Sequence, residues 1–430
     1  MRTRKITKVI GALAALSLVA AACGGDDDTA EPVADDPAVD TTVADDMAPE
    51  TTVADDMATD TTMADDMATE TTMADDMADD TAMECDELRE MSVQLQWFTQ
   101  AQFAGYYAAQ DQGFFEDHCL DVTILEGGVD IVPQTQLANG DADFAISWVS
   151  KALASREAGA DITNIAQIFQ RSGTLQVSFV DAGITSPADF AGKKIGNWGF
   201  GNEYEVFAAL GSAGLTPDDV DLVAQSFDMV ALLEGEIDAA EAMTYNEYAQ
   251  VLETKNPDTG ELYQPSDFNV VNYTDEGVGM LQDAIWADAG KLASDPAYRD
   301  LAVSFVAASM EGWIFCRDNV EACQQIVLAA GPTLGASHQL WQMNEVNKLI
   351  WPSPSGIGYI DQAAWDNTAD LSQNTPNLEG TTVLTAPPTE GAYTNEIVEE
   401  AWTHLNAEAA ADPFGADFTA IEVTLNEGGN

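Results

Sequence analysis

The stretch 93–128, VQLQWFTQAQFAGYYAAQDQGFFEDHCLDVTILEGG, sets the tightest limits on what this chain can fold into. Val93, Leu95 and Trp97 alternate with Gln94 and Gln96, the pattern of a strand with two different faces. Phe103, Tyr106 and Tyr107 then recur at three- and four-residue spacing, and Gly113 stands where that helix would end. Val122 and Ile124 open a second strand. A strand, helix and strand in immediate succession form a right-handed crossover, with the first strand's end and the helix start facing a crevice where ligands commonly bind. The residues at that junction are aromatics and amides. Phe103, Tyr106 and Tyr107 serve equally well as core packing or as cleft wall, whereas Trp97 and Gln102 point to ligand contact.

The alternation continues downstream. A strand at Phe144 to Ile146 passes into a helix before Gly159, and a further strand ends near Gln170 to Gly173. Ser186-Pro187 opens a short helix, Lys194 to Trp198 and Asp218 to Gln225 read as strands, and EGEIDAAEAMTYNE reads as the next strand with its loop. Such repetition specifies an α/β fold with mostly parallel sheets.

The first residues are not part of that fold. Arg2, Arg4, Lys5 and Lys8 precede an apolar run from Val9 to Ala22, and LVAAAC places small residues before Cys23. This is an export signal, and its ending resembles a bacterial lipoprotein processing box. Residues 1–23 are therefore expected to be a lipoprotein signal peptide, with Cys23 as the lipidation site. From Gly24 to Thr81 no basic residue occurs, and TT(V/M)ADDMA-x-(D/E) repeats from Thr41, Thr51, Thr61 and Thr71. Like-charge repulsion and low apolar content make residues 24–84 an expected disordered acidic tether, reaching about 45 Å as a flexible coil. With 74 acidic against 15 basic side chains and a formal charge of −59, the chain is a poor partner for nucleic acid.

Beyond Cys23 four cysteines remain: Cys85, Cys119, Cys316 and Cys323. In an exported protein they allow three pairings. Cys316 and Cys323 flank RDNVEA and suit a short-loop disulfide, which leaves Cys85 to tie the domain's entry to Cys119; four reduced, buried thiols are the alternative. No metal site is expected, since His118, His338 and His404 lack ligand spacing. The chain also has no G-x-S-x-G elbow and no P-loop.

The pattern W-x5-F-A-G-Y-Y-x5-G-F-F closed by L-D-V-T-I, together with GITSPADFAGKKIG, MTYNE and WQMNEVNKLIWPSPSGIGYID, resembles the solute-binding family that also includes thiamine-pyrimidine synthases, pyrimidine-precursor receptors and flavin-uptake receptors of bacterial importers. The resemblance runs from about Met91 to Thr394. It implies a two-lobed periplasmic binding protein type II fold with the second lobe inserted in the first: residues 85–179 and 273–400 as lobe 1, residues 180–272 as lobe 2, and crossings near Val177 to Asp181 and Val271 to Glu276. Residues 401–430 read as an acidic, loose tail.

Loops after the expected strands gather a candidate ligand set: Trp97, Gln102, Tyr106, Ser147, Trp148, Arg171, Trp198, Asn202, Glu203, Tyr245, Asn246, Glu247 and Glu276. Aromatic faces suit a flat heteroaromatic ring, and amides and carboxylates read donors and acceptors along its edge. Arg171 suits a ligand carboxylate or phosphate, or an internal ion pair. Gly199 and Gly201 in WGFGNE let the loop bend closely around a ligand.

Synthases of this family use a lysine that holds pyridoxal phosphate, a histidine consumed as substrate and a cysteine-rich stretch. In AISWVSKALASREAG the lysine's place falls at Ser147 and the histidine's at Lys151, and GVGMLQDAIW has no cysteine. Lys151 reads as a solvated surface charge. No cofactor is expected. The resemblance implies a monomeric, lipid-anchored substrate-binding component of an ABC importer for a small planar heteroaromatic, such as a thiamine-pyrimidine precursor or riboflavin. It would sit on the outer face of the bacterial cytoplasmic membrane with a permease as partner. A synthase homologue and a surface sensor or interaction protein are the alternatives.

Overall fold

The computed structural model describes residues 85, 87–376 and 380–430. The expected signal peptide, Cys23 and nearly all of the acidic tether lie outside the described residues.

The first sheet has five strands, in the order Leu120–Leu125 (β2), Arg89–Gln94 (β1), Phe144–Ser147 (β3), Ala284–Asp288 (β10) and Ile162–Gln167 (β4). Strands β1, β2 and β3 pair in parallel, while β10 lies antiparallel between β3 and β4. The second sheet has β5 (Thr174–Phe179) flanked antiparallel by β8 (Ala240–Met243) and β9 (Phe268–Asn272). A parallel pair, β6 (Lys194–Asn197) and β7 (Asp221–Ala224), joins β8 through a bridge between Ile195 and Ala239.

Strands β5 to β9 follow one another in the chain between β4 and β10, so the second lobe is an insertion in the first. The strand pairing also locates the crossings. Val177 lies inside β5 and Val271 inside β9, both in the second sheet, so the chain crosses in residues 168–173 and 273–283 rather than at Val177 to Asp181 and Val271 to Glu276. Pairing is more mixed than helix-strand alternation suggests. β5 and β10 each follow a crossing segment instead of a helical crossover, and antiparallel pairing needs no such crossover.

The first β-α-β unit forms as its sequence indicates, with one shift. β1 ends at Gln94, so Trp97 projects from the following loop rather than from the strand. The helix Ala104–Asp111 stops before Gly113, whose φ of 81° is left-handed. That helix packs on the long helix Pro296–Asp318, and the approach requires glycine. A Cβ on Gly312 would lie 2.0 Å from the Gly105 carbonyl oxygen, and one on Gly105 would lie 2.3 Å from Trp313.

Both disulfides anticipated from the cysteine spacing are present. Cys85 joins Cys119 and Cys316 joins Cys323, with Cα atoms 5.5 and 5.1 Å apart.

The segment after residue 400 is not loose. Ser353 N donates to Phe414 O at 2.9 Å, Ile357 N to Pro413 O at 2.9 Å and Ile421 N to Asn344 Oδ1 at 2.9 Å, all within lobe 1. Gly428 N then donates to Glu253 O of lobe 2 at 3.1 Å, and Glu427 pairs with Lys255 at 2.5 Å. Phe418 and Leu425 pack against apolar clusters of the two lobes, which offsets the acidity that suggested a free tail.

Candidate functional site

Strand ends from both lobes converge on one cleft of about 930 Å³, counted to its open mouth. The loop after β1 contributes Gln96, Trp97, Gln100 and Gln102, and residues 128–134 form a rim. Ser147, Trp148 and Lys151 enter where β3 passes into the helix Val149–Glu157. The second lobe supplies Trp198, Phe200 and Asn202 after β6, Phe227 after β7, and Met243, Tyr245, Asn246 and Glu247 after β8. Each lies at a strand's C-terminal end, where an α/β sheet leaves side chains outside the core.

Aromatic rings join the lobes across the mouth. Phe227 lies 4.6 Å from Trp97 of lobe 1, and 6.0 Å from Trp198 with the planes only 21° apart. Trp198 is held by its indole N–H, which donates to Ser226 O at 3.2 Å, and by its backbone N–H, which donates to Glu241 Oε2 at 2.9 Å. The loop between Trp198 and Asn202 is left-handed at three successive residues, with φ of 68°, 55° and 87° at Gly199, Phe200 and Gly201. This turn leaves Phe200 85% exposed at the rim.

Polar groups line the floor. Behind that lining, the buried Asp283 accepts from the lining amides Gln102 Nε2 at 3.0 Å and Gln96 Nε2. Burial pushes its carboxyl up to about 7, against the pull of those amides and of the Lys151 charge. Glu247 accepts from Met243 N at 2.9 Å and Asn246 Nδ2 at 2.7 Å, and burial likewise raises it to about 7. Ser147 Oγ donates to Gln134 Oε1 at 3.2 Å. Lys151 is half-buried in the cleft wall and not a solvated surface charge. Its Nζ donates to Asn202 Oδ1 at 2.7 Å and lies 4.3 Å from the Trp148 ring centroid. Burial lowers it to about 8 although nearby carboxylates pull the other way.

Of the candidate set, the cleft brings together Trp97, Gln102, Ser147, Trp148, Trp198, Asn202, Tyr245, Asn246 and Glu247. Four residues stand elsewhere. Tyr106 is 1% exposed and packs on Phe305 and Trp313, the core alternative at that position. Arg171 donates to the carbonyls of Lys348, Leu349, Trp351 and Pro352, so its charge neutralises a helix C-terminus and, among the described residues, it is not paired with an acid. Glu203 is buried and accepts from Gly201 N at 2.8 Å, shaping the loop. Glu276 is exposed on the turn after β9. Phe227 and Asp283 escaped the sequence reading, and Lys151 was read there as a surface charge. Phe227 follows a strand as the others do, whereas Asp283 sits on a crossing segment with no periodic signal.

Among the described residues no cluster of three His, Cys, Asp or Glu side chains stands in metal-holding geometry. His118 instead meets Glu311 at 3.2 Å.

Residues 100–322, just over half of the chain, match the family described as NMT1/THI5 like. The chain belongs to that family. Among its relatives, a putative thiamine biosynthesis protein of Haemophilus influenzae is 28% identical over 152 residues, covering 35% of this chain and 48% of its own. The chain thus spans about half the length of that relative. The formylaminopyrimidine-binding protein of Halalkalibacterium halodurans is 25% identical over 56% of this chain and 71% of its own. The riboflavin-binding protein RibY of Chloroflexus aurantiacus is 24% identical over 72% and 86%. A solved structure of the putative periplasmic sulfonate-binding protein SsuA of Methylobacillus flagellatus superposes with a TM-score of 0.56 at 16% identity, covering 79% of this chain and 99% of that one. That likeness carries the fold alone, and this NMT1/THI5-like chain has the two-lobed periplasmic binding protein architecture.

Proposed function

We propose that the chain is the substrate-binding component of an ABC importer, taking up a small planar heteroaromatic of the thiamine-pyrimidine-precursor or riboflavin class. The observation that carries this reading is the ring wall of the cleft, where Trp97 and Trp198 face the same space from opposite lobes with Phe227 between them. Flat apolar walls gain most from a flat ligand, and the amides and carboxylates beneath can read its edge. The names of the pyrimidine- and riboflavin-binding relatives support the same class. Ligand held between lobes favours the closed form by its differential affinity for that form, and the closed form is what a permease would receive.

In this reading the chain is exported, lipidated at Cys23 and held as a monomer at the outer face of the cytoplasmic membrane, with residues 24–84 as tether. Replacement of Cys23 by Ser should abolish incorporation of labelled palmitate. The binding test is titration of the full chain, stripped by unfolding and refolding, with riboflavin and with thiamine-pyrimidine precursors while following tryptophan fluorescence. Saturable quenching by one of them at micromolar concentration or below is the expected result. Silence with all of them would discard the heteroaromatic ligand.

A further inference from the structure

Among the described residues Lys151 is the one cation in the cleft wall, and its hydrogen-bonding capacity is not used up. An ammonium has three donors. Among the described residues Asn202 Oδ1 is its only hydrogen-bond acceptor, at 2.7 Å. A second side of the group lies over the Trp148 ring at 4.3 Å. The remaining side belongs to the cavity, which Lys151 lines together with Trp148, Trp198 and Asn202. The lysine comes from the first lobe and its acceptor from the second, so the contact exists only when the lobes meet.

The charges around it come from every neighbouring element. Glu203 and Glu205 face it from the start of the helix Tyr204–Ser212, Glu241 from β8 and Asp283 from the segment before β10. Glu241 Oε2 accepts from Trp198 N, while its Oε1 is buried without a hydrogen-bond partner among the described residues. Lobe closure therefore places one ammonium near four carboxyl groups while stripping it of water. Loss of hydration outweighs the attraction, since the lysine is lowered from 10.5 to about 8. Closure without a ligand leaves this cation short of acceptors.

We propose that Lys151 is the specificity-determining residue of the cleft, offering an N–H to an uncharged acceptor on the ligand's edge, a ring carbonyl or ring nitrogen. The inference rests on the reading of the cleft as a site for planar heteroaromatics and names the edge chemistry that site selects. An uncharged acceptor fits because it supplies the missing hydrogen bond without bringing a full negative charge into a buried site whose own carboxyls resist ionisation. A phosphate or sulfonate in the same place requires the dehydration of a second full charge.

The experiment compares the full chain with Lys151→Met and Lys151→Arg, using riboflavin and 4-amino-5-hydroxymethyl-2-methylpyrimidine as probes in calorimetric titrations. The lysines are also reductively methylated with carbon-13, and the Lys151 signal is titrated with and without probe. Lys151→Met should bind the preferred probe at least tenfold more weakly, and Lys151→Arg should recover most of the loss. The Lys151 signal should titrate near 8 without probe and move upward when the probe saturates. Two results would overturn the inference: Lys151→Met binding as tightly as the parent, or a Lys151 signal that saturating probe leaves in place. If neither probe binds the parent chain, the heteroaromatic reading falls by itself. A ligand-free signal near 10 would then overturn the placement of the cation as well, so the two failures are distinguishable.

Discussion

Glu205 ties the hinge together, and its ionisation makes a quantitative prediction. The side chain lies at the start of a second-lobe helix, yet its two oxygens accept from residues of both crossings: Ser172 Oγ at 3.0 Å and Met280 N. Burial raises its carboxyl from 4.5 to about 7, against those hydrogen bonds. The sign follows from the direction of the shift. In the unfolded chain the group ionises near 4.5, whereas in the folded chain it holds its proton to about 7. Stability from this group is therefore complete below the lower value and declines as pH rises through the window, levelling off above the upper one. A rise of that size corresponds to about 3 kcal/mol. Glu205→Gln keeps the shape and both contacts, with its carbonyl facing Met280 N–H and its amide N–H facing Ser172 Oγ, and it has nothing to ionise. Urea unfolding of parent and variant from pH 4.5 to 8 should give equal stabilities at the acid end. At the alkaline end the variant should be more stable by about 3 kcal/mol. Asp283 and Glu247 tilt both curves alike and cancel in the difference. Parallel curves across the whole range would refute the argument that Glu205 is buried and hard to ionise at the hinge.

Trp97→Ala and Trp198→Ala should each weaken binding of the preferred heteroaromatic about tenfold or more in fluorescence titrations, because each removes one ring face of the cleft. Cys316→Ser with Cys323→Ser opens a loop with a separation of 7 residues, and Cys85→Ser with Cys119→Ser opens one with a separation of 34. Loop-closure entropy predicts losses of about 2 and about 4 kcal/mol in urea unfolding, and the order of the two is the test. Gly312→Ala should cost about 3 kcal/mol or more by the same assay, since its Cβ would meet the Gly105 carbonyl in the tight helix pair.

The sequence made the fold legible where a residue's role is local. The alternation around Val93 and the stop at Gly113 describe an element by its neighbours, and the helix Ala104–Asp111 ends as read. It was less legible where a partner distant in the chain decides. Thr174–Phe179 looks the same whether its strand pairs in the first sheet or the second, and only its pairing with β8 and β9 assigns it to the inserted lobe. The cleft followed the same rule. Trp97, Trp148 and Trp198 were legible as cleft residues because each follows a strand at its C-terminal end, where an α/β sheet leaves side chains outside the core. Lys151 looked like an ordinary helix-surface lysine, because nothing in its own segment reports that Asn202, 51 positions away, covers it. Arg171 erred in the opposite sense, since a scarce cation in an acidic chain suggests an anionic ligand, and backbone carbonyls took it instead.

The main apolar cluster does not stop at the cleft. Trp198, Met243 and Tyr245 of the inserted lobe belong to the same buried cluster as Trp148, Phe169 and Trp313 of the other. Bringing the lobes together thus completes a single interior, and the water expelled is water that covered hydrocarbon. Such a process carries a calorimetric signature independent of which ring is bound. The binding enthalpy should become steadily more negative with temperature, to a degree set by the area the lobes hide from solvent and hardly by the ligand's own size.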